Sequence, residues 1–262
     1  MGTTPHGAYA DDELAALYDL VYADYDDDLL MYEQFAARGT LPSLELGVGS
    51  GRVALHLARQ GYRVTGIDSS PRMLARVAAG LDGETAARLR LVEADMRDFD
   101  LGADRFELVY CALETFEHLL TTADQVAALR RVAAHLAPGG VFVAQFRTVT
   151  GVDWSAGPSP LVLDWTRVDP ATGETVTKLR SGTASRAAQT TTDTLIFDRI
   201  AADGTVRRRT FDVTLRVSGR FEIELALERA GLRLSAAYGD ADLSPFTDAS
   251  DTMVIVAERE GN

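Results

Sequence analysis

Leu44-Glu45-Leu46-Gly47-Val48-Gly49-Ser50-Gly51-Arg52 is an apolar strand that runs into a glycine-rich turn, with a helix to follow. Gly47, Gly49 and Gly51 alternate, so three close positions carry no Cβ. The backbone there can take positive φ and approach a ligand closely. Ser50 is placed to cap the helix that carries Val53, Ala54, Leu57 and Ala58 on one face. The start of that helix leaves N–H groups aimed at whatever sits on the loop. Val64-Thr65-Gly66-Ile67-Asp68 then forms a second strand ending in a carboxylate. An acid at that position can accept hydrogen bonds from both hydroxyls of a ribose.

Two cofactor classes use this geometry. A dinucleotide needs the third glycine of G-x-G-x-x-G, so that helix and pyrophosphate come close. Here that position is Arg52, the glycines read G-x-G-x-G, and Glu45 stands two residues before the first of them. The pattern resembles motif I of the class I S-adenosylmethionine (SAM) methyltransferases. The resemblance implies that the loop residues Gly47, Gly49, Ser50 and Gly51, with Glu45, hold the methionine part of SAM. It implies that Asp68, with Ser69 beside it, holds the ribose.

Composition bounds the rest. The 262 residues suffice for one large domain or a domain with a lid, and 46% hydrophobic residues permit a full core. Lys+Arg 26 against Asp+Glu 39 gives a formal charge of −13, a field that repels phosphate backbones, so nucleic acid is not expected as a partner. The single cysteine, Cys111, excludes an intrachain disulfide and any thiolate metal cluster, and no metal is expected. Without an apolar run of spanning length or a basic-then-apolar start, the expectation is a cytoplasmic protein with no membrane partner.

Along the chain, residues 1–40 read as a helical cover rich in tyrosine: Tyr9, Tyr18, Tyr22, Tyr25 and Tyr32. Asp26-Asp27-Asp28 reads as a solvated helix start with no further role. Residues 41–150 and 219–262 read as the α/β core, and 151–218 as an insert. Ser70 suits an N-cap and Pro71 the first helical position. Met73 follows, read either as core or as a contact of the bound nucleoside. Leu89–Val92 is a third strand leading to Asp95 and Met96. That strand end resembles the family's adenine site, where Asp95 accepts from the exocyclic amine and the Met96 N–H reaches a ring nitrogen. A turn carboxylate without a ligand is the other reading of Asp95.

Phe106–Ala112 is the fourth strand, apolar as a strand buried on both faces should be, and Cys111 near its end joins the cofactor set. Glu114-Thr115-Phe116-Glu117-His118 follows it, at the carboxyl end where ligands bind in such sheets. Thr122 and Gln125 read as a capping box. Leu136-Ala137-Pro138-Gly139-Gly140, before a fifth strand at Val141–Phe146, is a further feature of the family. Alternating, β-branched runs between Leu161 and Val217, with turn signals at Asp169-Pro170 and Asp203-Gly204, predict an antiparallel insert between the fifth and sixth strands. Its edges suggest a homo-oligomer. A helix at Phe221–Ala230, a strand at Leu232–Tyr238 and a last strand at Asp251–Glu258 complete the pattern. The expected fold is a doubly wound, seven-stranded, mostly parallel Rossmann-like methyltransferase sheet with an antiparallel β insert and an N-terminal helical cover.

The chemistry is a methyl transfer to a nucleophile that must be neutral or lose a proton, and a positioned base serves it. Of the four histidines only His118 lies at a strand-end loop; His56 and His135 fall on helices and His6 in the tail. Tyr9, Leu17-Tyr18-Asp19-Leu20 and Glu117-His118-Leu119 together resemble the amino-sugar N-methyltransferases of antibiotic pathways and the lincosamide N-methyltransferases. That resemblance implies that Tyr9 and His118 orient and deprotonate an acceptor amine, and that Tyr18 touches the methionine end of SAM; packing on the sheet edge is the other reading of Tyr18. Glu114, Phe116 and Glu117 are the remaining acceptor-site candidates, each with a solvated or packing reading beside it. The resulting expectation is a SAM-dependent N-methyltransferase of a small, sugar-containing natural product. O-methylation and a non-catalytic SAM- or nucleotide-binding module are the alternatives. Arg52 and Pro138-Gly139-Gly140 speak against a dinucleotide oxidoreductase.

Overall fold

The computed structural model describes residues 12–155 and 157–260. They fall into two compact units, 1–23 with 153–216 and 24–152 with 217–262. In chain order, α1 (Asp12–Val21) belongs to the smaller unit and α2 (Leu29–Ala36) to the larger. The two helices read as one cover from sequence thus belong to different units.

The larger unit alternates strand and helix. β1 (Ser43–Leu46) and β2 (Val64–Asp68) flank α3 (Arg52–Arg59). α4 (Pro71–Ala79) and the short α5 (Gly83–Ala86) lead to β3 (Leu89–Glu93). β4 (Phe106–Cys111), α6 (Thr122–His135) and β5 (Leu136–Arg147) follow. Ser70 caps α4 as expected, its side chain accepting from the Met73 N–H, with Pro71 in the first turn.

Three local expectations are corrected. Ser50 does not cap α3: Gly51 stands at the cap with φ 90° and offers no side chain. The cap of α6 is Thr121 rather than Thr122, because its hydroxyl accepts the Asp124 N–H. β5 starts at Leu136, ahead of Pro138-Gly139-Gly140. The register against β4 shifts between the pairs Phe106↔Leu136 and Leu108↔Val141. Proline, which lacks an N–H, fits inside a strand at such an irregularity.

The insert is the sheet of the smaller unit: β6 (Val162–Val168), β7 (Thr175–Ser185), β8 (Thr190–Ile200) and β9 (Val206–Arg216), antiparallel in that order. Leu14, Leu17 and Leu20 of α1 pack there with Val176 and Phe197. Arg199 is tied to Asp169 at 2.7 Å and to Glu174 at 3.4 Å.

Back in the larger unit, α7 (Arg220–Arg229), β10 (Leu232–Tyr238) and β11 (Thr252–Arg259) complete a seven-stranded sheet of order β10-β11-β5-β4-β1-β2-β3. β11 is antiparallel to both neighbours, while β1 to β5 run parallel. Both faces are buried. Leu44, Leu46, Val109 and Phe142 belong to one core and Leu108, Tyr110, Val143 and Val256 to the other, as the two-residue period of strands requires. Among the described residues no helix is long and apolar enough to cross a membrane.

Candidate active site

β1 lies between β2 and β4, so the chain winds outward from it in both directions. Open α/β sheets bind ligands beyond the carboxyl ends of the strands at such a switch point. The glycine loop stands there with Gly47, Gly49 and Gly51 at φ 67°, 56° and 90°, a region that side-chain-bearing residues rarely adopt. A Cβ on Gly47 would run into the Thr115 methyl group and come within 3.6 Å of Met96 Cε. Strand ends β1, β3 and β4 therefore converge on one bare stretch of backbone.

Asp68, at the end of β2, faces this loop. Its Oδ2 accepts the Gly49 N–H at 2.9 Å and its Oδ1 the Ser70 N–H at 2.8 Å. Burial pushes its pKa up, and those N–H groups oppose the rise. The carboxylate is thus oriented and still has lone pairs for ribose hydroxyls. Ser69 beside it is half-buried, and Met73 is buried in the first turn of α4. Asp95 is engaged: the guanidinium of Arg97 donates to both of its oxygens, at 2.9 Å to Oδ1 and 2.5 Å to Oδ2. As the adenine acceptor it would have to share its oxygens with Arg97.

Behind the loop lies a buried polar chain. Glu45 accepts the Tyr110 hydroxyl at 3.0 Å, and Tyr110 packs on Tyr32 with ring centroids 4.8 Å apart. The Tyr32 hydroxyl and the Leu113 N–H both donate to Gln145 Oε1, at 2.9 and 2.8 Å. Leu113 sits at φ 52°, so the chain turns sharply after β4. Burial pushes the Glu45 carboxyl up to about 8, against the Tyr110 hydrogen bond and the charge of Arg52. Arg52 itself grips Asp28 with both terminal nitrogens, at 2.5 and 2.8 Å, and lies 5.0 Å over the Tyr25 ring. The solvated reading of Asp28 is overturned: Asp26 and Asp27 are exposed, but Asp28 is fully buried.

The segment after β4 is a 3-10 turn, Thr115–His118. Phe116 is fully buried against Phe142 and Phe146, a packing residue rather than a stacking surface. Glu117 is buried too. Its Oε1 accepts the Arg147 N–H at 2.6 Å and its Oε2 the Arg147 guanidinium at 3.0 Å. Burial still pushes its pKa up to about 7. Glu117 therefore braces β5 and is not open to an acceptor. Cys111 is buried with its thiol directed at the Leu46 carbonyl, and burial holds that thiol far above its ordinary pKa. Glu114 is half-buried at the start of the turn.

His118 ends the turn. His118 is solvent-exposed, while the protein packed around the ring, and after it the Arg147 charge, pull its pKa down to about 4. Both causes disfavour the imidazolium, so the ring is neutral at neutral pH. His56 contacts Glu33 at 3.0 Å, and buried His135 accepts the Leu101 N–H at 3.0 Å.

Tyr9 lies outside the described residues. Tyr18 is half-buried on α1 in the smaller unit, its ring 4.6 Å from that of Tyr22. Sequence reasoning missed Asp28, Tyr25, Thr115, Gln145 and Arg147. Only Asp28 carried a signal, as the last acid before an apolar helix in a chain whose glycine loop ends in arginine. The donor set fits SAM: backbone that no Cβ may fill at Gly47, and an oriented carboxylate on the adjacent strand. SAM supplies, when bound, a methyl group already activated by its sulfonium.

Comparison with known proteins agrees with this geometry. Residues 44–140 match the family described as "Methyltransferase domain". A dTDP-3-amino-3,6-dideoxy-alpha-D-glucopyranose N,N-dimethyltransferase of Streptomyces fradiae is 35% identical over 140 residues, 51% of this chain and 52% of that protein. The chain thus spans about half the length of that relative. The CcbJ methyltransferase of Streptomyces caelestis superposes with TM-score 0.80 at 28% identity, over 97% of this chain and 98% of that one. SAM-bound CalS10 of Micromonospora echinaspora, an amino pentose methyltransferase, gives TM-score 0.70 at 26% identity over 93% and 96%.

Proposed function

We propose that this chain, whose residues 44–140 match the family described as "Methyltransferase domain", is a SAM-dependent methyltransferase that methylates an amine of a small, sugar-containing natural-product precursor. The observation that carries this reading is His118. It is a solvent-exposed imidazole on the segment after β4, at the same strand ends as the glycine loop and Asp68. An imidazole at that place can accept a hydrogen bond from an acceptor amine and so orient it, and can receive a proton as the N–C bond forms. The amino-sugar relatives support the amine, and Glu114 is the carboxylate left to hold its charge. In this reading Tyr9 and Tyr18 contribute from the N-terminal segment as the resemblance implies.

The test is turnover with methyl-labelled SAM on matched amino- and hydroxy-sugars. Label in the amino-sugar supports the reading; label in the hydroxy-sugar alone makes the enzyme an O-methyltransferase. In the His118→Ala variant, kcat falls about 100-fold or more, the usual range for losing a positioned base, while SAM affinity is retained. Wild-type turnover removes His118 from the chemistry.

We also propose self-association through the insert. Leu161, just before the edge strand β6, and Val162 and Leu163 within it are 54%, 45% and 61% exposed. Paired edges protect such strands. Light scattering should return a dimer or larger species; a monomer at micromolar concentration refutes this.

A further inference from the structure

The other end of the large sheet carries a feature that methyl transfer does not use. A cavity of about 360 Å³ opens at the amino-terminal ends of the strands. Its wall includes Arg63, Arg88 and Arg105, and each of these is the residue immediately before a strand, β2, β3 and β4 respectively. Arg90 joins them from β3, and Asp104 is the sole acidic residue among the lining groups. Four arginines around one cavity are unexpected in a chain of net charge −13, whose overall field repels anions.

The way these guanidinium groups are held matters more than their number. Arg63 donates to the Thr40 carbonyl at 3.2 Å, Arg88 to the Glu84 carbonyl at 3.4 Å, and Arg105 to the Gly102 and Asp104 carbonyls at 3.2 and 2.8 Å. Carbonyl partners orient a guanidinium without cancelling its charge. Arg90 alone has a close carboxylate, Asp104 at 2.7 Å. The Glu84 carboxylate stands 3.8 Å from Arg88 with its side chain 90% exposed, and Glu107 is turned to the Thr40 and Leu41 N–H groups. A guanidinium has five donors in a fixed fork, so most of the donor capacity here can face a ligand. The fork matches the oxygens of a phosphate, and a cavity of this size lies within the range of small-molecule sites.

We propose that this cavity binds a small phosphate-type anion through Arg63, Arg88 and Arg105, at the sheet end opposite the methyl-transfer site. The ligand class is a phosphate or diphosphate group, free or carried by a small metabolite. The net charge of −13 on the chain rules against an extended polyanion.

Inorganic pyrophosphate is the probe. It is titrated calorimetrically into the full chain at low ionic strength, with S-adenosylhomocysteine saturating the other strand ends. Saturable binding is expected, weakened about tenfold or more by Arg63→Gln and again by Arg88→Gln, because each removes a hydrogen bond to a charged group. Arg105→Gln, at an exposed position, provides an independent variant should the others fold poorly. Added sodium chloride should weaken the binding. Absence of binding, equal affinity in folded arginine variants, or loss of binding when S-adenosylhomocysteine is added would each overturn the proposal.

Discussion

Asp68 has two partners before any ligand arrives, the Gly49 and Ser70 N–H groups. It sets the loop, and in the proposed reading it presents the same carboxylate to a ribose. The Asp68→Ala variant therefore loses both functions. A hydrogen bond to a charged group contributes about 1.5–3 kcal/mol, so SAM affinity should fall about 10- to 100-fold. Calorimetry with SAM checks this, and unchanged affinity would refute the ribose assignment. Asp95 is the instructive contrast. From sequence it is an acid just beyond the third strand, read either as the adenine acceptor or as a turn carboxylate without a ligand. In the folded chain it belongs to the Arg97 guanidinium, which also reaches Asp124 at 3.3 Å. Nothing local in a sequence tells which carboxylate a neighbouring arginine will claim.

Elements decide what each residue can reach. The turn after β1 works because three glycines occupy positive φ, and Gly47 also faces Thr115 from the segment after β4. A Gly47→Ala change meets two obstacles. The left-handed backbone costs about 1–2 kcal/mol for a residue with a Cβ. The new methyl also collides with the Thr115 methyl. Adding Thr115→Ser removes the collision and leaves the backbone strain, so it should restore part of the lost stability. Urea melts of the single and double variants separate the two contributions, and equal stability of both would refute the collision. The strand–loop–helix order, the caps around Ser70 and the antiparallel insert were legible in sequence, because they depend on local period and turn chemistry. Phe116 and Glu117 were not. Their roles depend on Phe142, Phe146 and Arg147, which lie on another strand. Asp28 was misread for the same reason: its charge is met by Arg52 across the fold.

Taken across the whole large unit, burial gathers acids whose charged forms are disfavoured, and this sets how stability follows pH. Glu45 titrates at about 8 in the fold and Glu117 at about 7, both raised chiefly by burial from an ordinary 4.5. In the unfolded chain both carboxyls ionise near that ordinary value. Between pH 4.5 and 8 the native state therefore holds protons that the unfolded state has released. Stability falls with rising pH wherever the native state binds more protons. The contribution of each group is fully present below its unfolded pKa and is lost as pH rises through its folded one. Asp169 and Asp198, held low chiefly by Arg199 and Arg208, act in the opposite sense below their ordinary pKa of 3.8, and His118, lowered from 6.5 to about 4, does so between those two values, where it offsets one of the two carboxyls. Denaturant melts of the ligand-free chain should thus show stability declining from about pH 5 to about pH 8. Glu45→Gln keeps an acceptor for the Tyr110 hydroxyl and removes the titration, so its decline should be shallower than that of wild type. Parallel curves for the two proteins would mean that Glu45 is ionised in the fold, with Arg52 outweighing its burial.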